Sequence, residues 1–365
     1  MTDTAASPTV DEPLFLAACR GKRTSRRPIW LMRQAGRILE PYRRLKQEKG
    51  SIEVMFQDPA TAADVTMMPV DMLGVDAAIL FADIFTPVDP MGCPVTFDPG
   101  PVLGFAARDA EAVSRLRPFD AAKDLAYVGE IIGRIRARLP AHVPLIGFAG
   151  SPLTLATYLA EGGGAREFTQ FRRLLHHDPA TAKQLIDVLT EVTIDYLAMQ
   201  VQAGAQALQL FDTWIGALSL RDFQTHALPC LRRIFDATRP LGVPLIYYAN
   251  NAAHLLPSLD QVGADVLSLD WRTDLADVDR ILDGQFPLQG NLDPCALFAP
   301  PDEVEAQALG LLERTNGIRH LFNLGHGVQP DTPYASVERL VQVVQGYATP
   351  SAPPSVEERS GGSDG

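Results

Sequence analysis

Eight short apolar runs punctuate the chain: IWLM (29–32), AAILF (77–81), PLIGF (144–148), ALQLF (207–211), PLIYY (244–248), VLSLD (266–270), PLQGN (287–291) and HLFNLG (320–325). Longer amphipathic stretches lie between them, such as 125–139, 180–204 and 333–347. Strand alternating with helix implies parallel pairing, because a parallel neighbour needs a crossover connection. Runs without polar alternation imply strands covered on both faces. Eight of them predict an α/β chain, a (β/α)8 TIM barrel in a single domain. An open doubly wound sheet would carry a GxGxxG turn after its first strand, and the chain has none there.

The flanks read differently. Residues 1–10 are small and polar, and the C-terminus ends PSAPPSVEERSGGSDG. Neither can bury enough apolar surface to order itself, so disordered tails are expected at 1–10 and 349–365 around a barrel domain at 11–348. The N-terminus has no basic-then-apolar leader pattern, and no apolar run could span a bilayer. The four cysteines, Cys19, Cys93, Cys230 and Cys295, are scattered, which argues against a disulfide framework and fits a reducing cytoplasm. A net charge of −12 argues against binding nucleic acid through bulk electrostatics.

In a barrel of this kind, chemistry sits just past the C-terminal end of each strand. Those positions hold Arg33 and Arg37, then Asp83, Tyr158, Asp212 and Thr213, Asp270, Asn291 and Asp293, and His326. The arginines stand in a local inversion of charge. Between Arg20 and Lys46 lie ten Lys and Arg residues and a single acid, Glu40. Guanidinium forks suit carboxylates or phosphates. Glycine-rich phosphate turns are only weakly represented, by NLGHG, so a ligand with several carboxylates is expected. Each residue also has a plainer reading. Arg33 and Arg37 could pair with neighbouring acids, and Asp83 could cap the next turn. His326 and Thr213 could cap turns, and Tyr158 could be a core aromatic.

PIWLMRQAGR (28–37) and GFAGSPLTLATYLAEGG (147–163) resemble the two signature stretches of the uroporphyrinogen decarboxylase family. AQALQLFDTWIG, LDW, QGNLDP and FNLGHGVQPDTP resemble the rest of its pattern in the same order, so the likeness spans about residues 12–347. The resemblance implies a cytoplasmic, homodimeric (β/α)8 carboxy-lyase without cofactor or metal. Such an enzyme removes CO2 from the four acetate side chains of uroporphyrinogen III, giving coproporphyrinogen III for heme or other tetrapyrroles. It implies that Asp83 accepts hydrogen bonds from the pyrrole NH groups and that Arg33 is a candidate proton donor. It also implies that Arg33, Gln34, Ala35, Gly36, Arg37, Lys46, Asp83, Tyr158, Thr213 and His326 bind the substrate. Neighbouring arginines are expected to hold Asp83 ionised by lowering its pKa.

The chain departs from the family pattern at Ile38, at the Glu40-Pro41 order, at Leu153 and in YYANNAAHLL (247–256). Two alternatives follow from the same resemblance. A zinc- and corrinoid-dependent methyltransferase of the superfamily needs a His-x-Cys pair and a later Cys, which this chain lacks after its fifth run. A non-catalytic porphyrin-binding protein is expected to have lost the acid at position 83, which is present.

Overall fold

The computed structural model describes residues 12–97, 100–164 and 168–349. The expected tails at 1–10 and 350–365 lie outside the described residues. Thr349, assigned to the C-terminal tail, is instead held: its N–H donates to the Ser25 carbonyl at 2.8 Å, beside a bridge between Arg26 and Ala348.

Nine strands form. They are β1 (Ala78–Ile79), β2 (Val95–Phe97), β3 (Pro101–Leu103), β4 (Leu145–Gly150), β5 (Ala207–Asp212), β6 (Leu245–Ala249), β7 (Val266–Leu269), β8 (Leu288–Leu292) and β9 (His320–Leu324). β2 and β3 pair as an antiparallel hairpin that sequence periodicity did not reveal. The other seven make one parallel sheet in the order β1-β4-β5-β6-β7-β8-β9. Every residue of β4, β6, β7, β8 and β9 is buried, which is why these strands read as continuous apolar runs. Because all seven point the same way, their C-terminal ends open on one face.

The amphipathic stretches became helices at Ala126–Arg136, Pro179–Ala203 and Tyr334–Gly346, close to their expected bounds. The 25-residue helix starts where Asp178 accepts from the Thr181 N–H, and it stops at Gly204 (φ 124°). Its Gln200 side chain staples it to β4, accepting from the Phe148 N–H and donating to the Phe148 carbonyl, both at 2.8 Å. A side chain on Gly147 would collide with that amide.

The expected eight-stranded barrel is therefore realised as a parallel sheet of seven strands. The run at 29–32 makes a single parallel bridge, Ile29 to Phe322 of β9. Side chains explain why no regular ladder forms there. The Ile29 N–H donates to Asp76 Oδ2 (2.8 Å), the Leu31 N–H to Gln34 Oε1 (2.9 Å) and the Met32 N–H to Asn323 Oδ1 (3.0 Å). Main-chain bonds still run to both sides: Phe322 N to Pro28 O at 2.9 Å, and Asp76 N to Ile29 O at 2.8 Å. The fully buried Trp30 donates its indole N–H to Gln289 Oε1 (2.9 Å), and the Gln289 amide donates to Gln209 and Ser268. A polar chain thus joins this segment to β5, β7 and β8.

Asp76 is the most heavily used of these acceptors, because it also takes both Nη atoms of Arg26, at 2.6 and 2.7 Å. Asp76→Ala would orphan a buried N–H and a part-buried guanidinium together. We expect it to cost about 3 kcal/mol or more of unfolding free energy in chemical denaturation. A loss below about 1 kcal/mol would show that the pairing does not hold the segment.

Candidate active site

The loop 33–39 leaves the 28–32 segment at the C-terminal face. Arg33 adopts a left-handed conformation (φ 61°) that reverses the chain, and Gln34 N–H closes the turn onto Leu31 O at 3.0 Å. The Gln34 side chain is fully buried, accepting from Leu31 N–H and donating to Ala77 O at 3.1 Å. This side chain therefore braces the loop. Ala35 and Gly36 are half-buried. Ile38 and Leu39 plug the core, and the guanidinium of Arg43 donates to the carbonyls of Arg37 and Ile38. Pro41 sits in the first turn of the helix Glu40–Lys49, a position that needs no N–H. The departures at 38–41 are thus accommodated without moving the arginines.

The cation cluster then sorts itself. Arg20 and Lys22 pair with Glu12, Arg26 with Asp76, and Arg44 with Glu40. Arg33 and Arg37 are exposed and make no side-chain hydrogen bond or ion pair with any described residue. The plainer reading of these two, pairing with a neighbouring acid, is not realised. Arg33 lies over Gly327, where any side chain would collide with its Cγ and Cδ. Lys46, half-buried on its helix, acts electrostatically on Glu53, whose carboxylate accepts from Phe97 N–H of β2. It is thereby linked to the hairpin; the other candidate residues show no tie to it.

Asp83 follows β1. Its Oδ1 accepts from Phe85 N–H at 2.9 Å, and its own N–H donates to Thr86 Oγ1 at 3.3 Å. The turn-capping role is real, yet it occupies one oxygen. Oδ2 makes no hydrogen bond with a described residue. Burial pushes the carboxyl up to about 6, against a smaller opposing pull from Arg33. The expected downward shift is therefore reversed, because desolvation outweighs the nearby cation.

Tyr158, on the helix Pro152–Glu161, feels the charges of both Asp83 and Arg33, and burial raises its hydroxyl. It packs edge-on against Phe85 (4.9 Å between centroids) and Trp214 (5.8 Å). His326 is half-buried beside Tyr248, and burial, Arg33 and Arg272 pull it down to about 4. Its Nδ1 accepts from Gly327 N–H at 2.7 Å, so the neutral ring carries its proton on Nε2, ready to donate. Thr213 is half-buried, and its carbonyl accepts from Asn250 Nδ2 at 3.0 Å, which ties the 249–254 loop down.

Several strand-end residues turn out to be braces. Asp212 is fully buried, with its oxygens accepting from Thr154 (2.7 Å) and Tyr247 (2.8 Å). Burial pushes it, too, up to about 6. Asn291 donates to the carbonyls of Asp270 and Thr273, and Asp293 caps the turn at Cys295 N–H. The sequence reading passed over Arg272, which pairs with Asp270 and stacks on Trp271. Its only signal was a cation one residue past LDW.

Around Arg33 the structure thus gathers Asp83, one of whose oxygens makes no hydrogen bond with a described residue, and the neutral side chains of His326 and Tyr158. The family model for uroporphyrinogen decarboxylase matches residues 11–347. The chain belongs to the uroporphyrinogen decarboxylase family. The uroporphyrinogen decarboxylase of Pelobacter propionicus is 43% identical over 332 residues, covering 91% of this chain and 97% of that protein. The enzyme of the same name from Thermus thermophilus is 43% identical over 338 residues, covering 92% and 98%. Among solved structures, a methyltransferase from Methanosarcina mazei superposes with a TM-score of 0.74 at 21% identity, covering 92% of this chain and 99% of that one. At that identity the likeness speaks for the fold alone. Among the described residues, no three His, Cys, Asp or Glu side chains are grouped to hold a metal ion. None of the described helices is long and apolar enough to cross a membrane.

Among the described residues, Arg33 is the guanidinium that acts on the Asp83 carboxyl. Replacing Arg33 by Gln removes that pull, so the Asp83 pKa should rise above about 6. A carboxyl titration by infrared or NMR would read the change; an unchanged or lower value would show that the two groups do not face each other.

Proposed function

We propose that the chain is a uroporphyrinogen decarboxylase, acting at the C-terminal face of the sheet on the four acetate groups of uroporphyrinogen III. One observation supports this above the others. The Asp83 carboxylate has an oxygen without a hydrogen bond and stands within reach of Arg33, and neither Arg33 nor Arg37 forms an ion pair with a described acid. The substrate carries eight carboxylates around four pyrroles, so its rim needs cations and its NH-lined centre needs an acceptor. Arg33 and Arg37 supply the first, and Asp83 Oδ2 supplies the second. Tyr158, Thr213, His326 and Lys46 fill further contacts, with Ala35 and Gly36 letting the ring approach the backbone.

Direct loss of CO2 from an acetate would leave an unstabilised carbanion. Addition of a proton to the adjacent ring carbon makes the pyrrole cationic instead. The bond to the carboxyl carbon then breaks, CO2 leaves, and its electron pair neutralises the ring. The exposed methylene takes up a proton and the ring carbon gives one back, so each cycle consumes one proton and leaves a methyl group. Asp83 stabilises the transient cation by a charge already in place. Arg33 is the candidate proton donor. A low-dielectric site strengthens the acid's attraction for that cation, which is what burial of Asp83 offers.

We also infer that the 28–32 segment completes an eight-stranded closed barrel. Its main-chain bonds to Phe322 on one side and Asp76 on the other favour that reading. A single domain over residues 11–348, a homodimer and a cytoplasmic location belong to the same proposal.

Asp83→Asn keeps an acceptor for Phe85 N–H while removing the charge. Turnover of freshly reduced uroporphyrinogen should fall by ~10²–10³-fold with an unchanged circular-dichroism spectrum. In the unaltered enzyme, kcat/KM should fall as pH drops through about 6, because the free acid must be ionised and its protonated form accumulates below that value. Near-normal turnover by the Asn variant would overturn the assignment.

A further inference from the structure

Arg272 is the mouth cation that the candidate set omits. It lies in the turn after β7, and that turn is fixed. Asn291 Nδ2 donates to the carbonyls on both sides of it, Asp270 O at 2.9 Å and Thr273 O at 2.5 Å. Gly325 abuts the same turn so closely that a side chain there would collide with Trp271 N. The Tyr248 hydroxyl donates to Gly325 O at 2.9 Å, completing the contact between the β7 turn and the loop carrying His326. The guanidinium itself is 3.9 Å above the Trp271 ring and pairs with Asp270. Asp270 is 1% exposed and its Oδ1 has no partner, whereas Arg272 is 47% exposed. The cation is thus anchored from beneath and open on its other side.

Its position complements the known pair. Arg33 and Arg37 both leave the 28–32 segment, which bonds to β9. Arg272 leaves β7, two strands from β9 and four from the β1 end that carries Asp83. The charge of Arg272 nonetheless reaches His326 and Tyr248, the two groups that Arg33 also reaches. A ligand centred on Asp83 with carboxylates around its whole rim would leave its far side without a cation if only Arg33 and Arg37 served it.

We propose that Arg272 is a further substrate-binding residue, holding a rim carboxylate of the tetrapyrrole on the β7 side of the mouth. The stack on Trp271 and the pair with Asp270 fix the orientation of its fork, which lowers the conformational cost of gripping a carboxylate. Because each cycle removes one carboxylate from the ligand, the grip of Arg272 counts most when few remain. This inference rests on the decarboxylase reading above.

The test uses three variants: Arg272→Gln, Arg272→Lys, and Asp270→Asn with Arg272→Gln, the last leaving no buried acid unpaired. Binding of uroporphyrin, the oxidised octacarboxylate, is followed by protein fluorescence, and turnover of uroporphyrinogen by separating products by carboxylate number. We expect Kd and KM to rise about tenfold in both Gln variants, with a smaller rise for Lys. Partly decarboxylated intermediates should accumulate, while kcat for loss of the first carboxyl changes little. Unchanged Kd and KM in the double variant, with lowered thermal stability in the single Gln variant alone, would show a structural ion pair and overturn the proposal. If the unaltered protein binds uroporphyrin through Arg272 but releases no CO2 from uroporphyrinogen, the decarboxylase reading fails and the binding assignment stands.

Discussion

Residues 29–32 are held by neighbours that donate side chains as well as backbone. Asp76, Gln34 and Asn323 take the N–H groups of Ile29, Leu31 and Met32, which an ordinary strand would give to a ladder. A buried amide without an acceptor costs about as much as a lost hydrogen bond, so these contacts decide where the segment lies. Everything that follows depends on that placement. Arg33 turns back over Gly327, the 33–39 loop is braced by Gln34 and Arg43, and both free guanidiniums arrive at the end of the sheet where β1 delivers Asp83.

The electrostatics of the mouth follow from how unevenly acids are distributed around it. Arg20, Lys22, Arg26 and Arg44 have partners of opposite sign, and those pairs are largely at the surface, where each is worth little. Arg33 and Arg37 have none among the described residues, and the Phe85 N–H and Arg33 offset only part of the desolvation of Asp83. Such an arrangement adds little to the stability of the folded chain, which is what the proposed role in binding a ligand would lead one to expect. Asp212, which is fully buried, shows the contrast. Two hydroxyls occupy its oxygens, leaving it a brace between strands.

The sheet strands and their order were legible because double-sided burial leaves long apolar runs, and the helices at Ala126–Arg136, Pro179–Ala203 and Tyr334–Gly346 because one face of each must be apolar. The ladder at 29–32 was not legible, since the side chains that replace its rungs come from residues 34, 76 and 323, far apart in sequence. The β2–β3 hairpin was missed because its strands are three residues long and only partly buried. At the mouth, placement at strand ends singled out Arg33, Asp83 and His326. It could not tell them from Asp212, Asn291 or Asp293, which occupy equivalent positions but turn inward or cap a turn. Gln34 sits inside the signature stretch yet points to the core, and Arg272 lies outside every signature yet reaches the same groups as Arg33. The direction of the Asp83 shift also lay beyond sequence, because it depends on how little water reaches the carboxyl.

The bond from Met32 N–H to Asn323 spans 291 positions along the chain. During synthesis the arginine-bearing loop therefore leaves the ribosome long before the strand that seats it. Until β9 has emerged, the Met32 N–H has no Asn323 to donate to, and the segment that leads into Arg33 lacks that anchor.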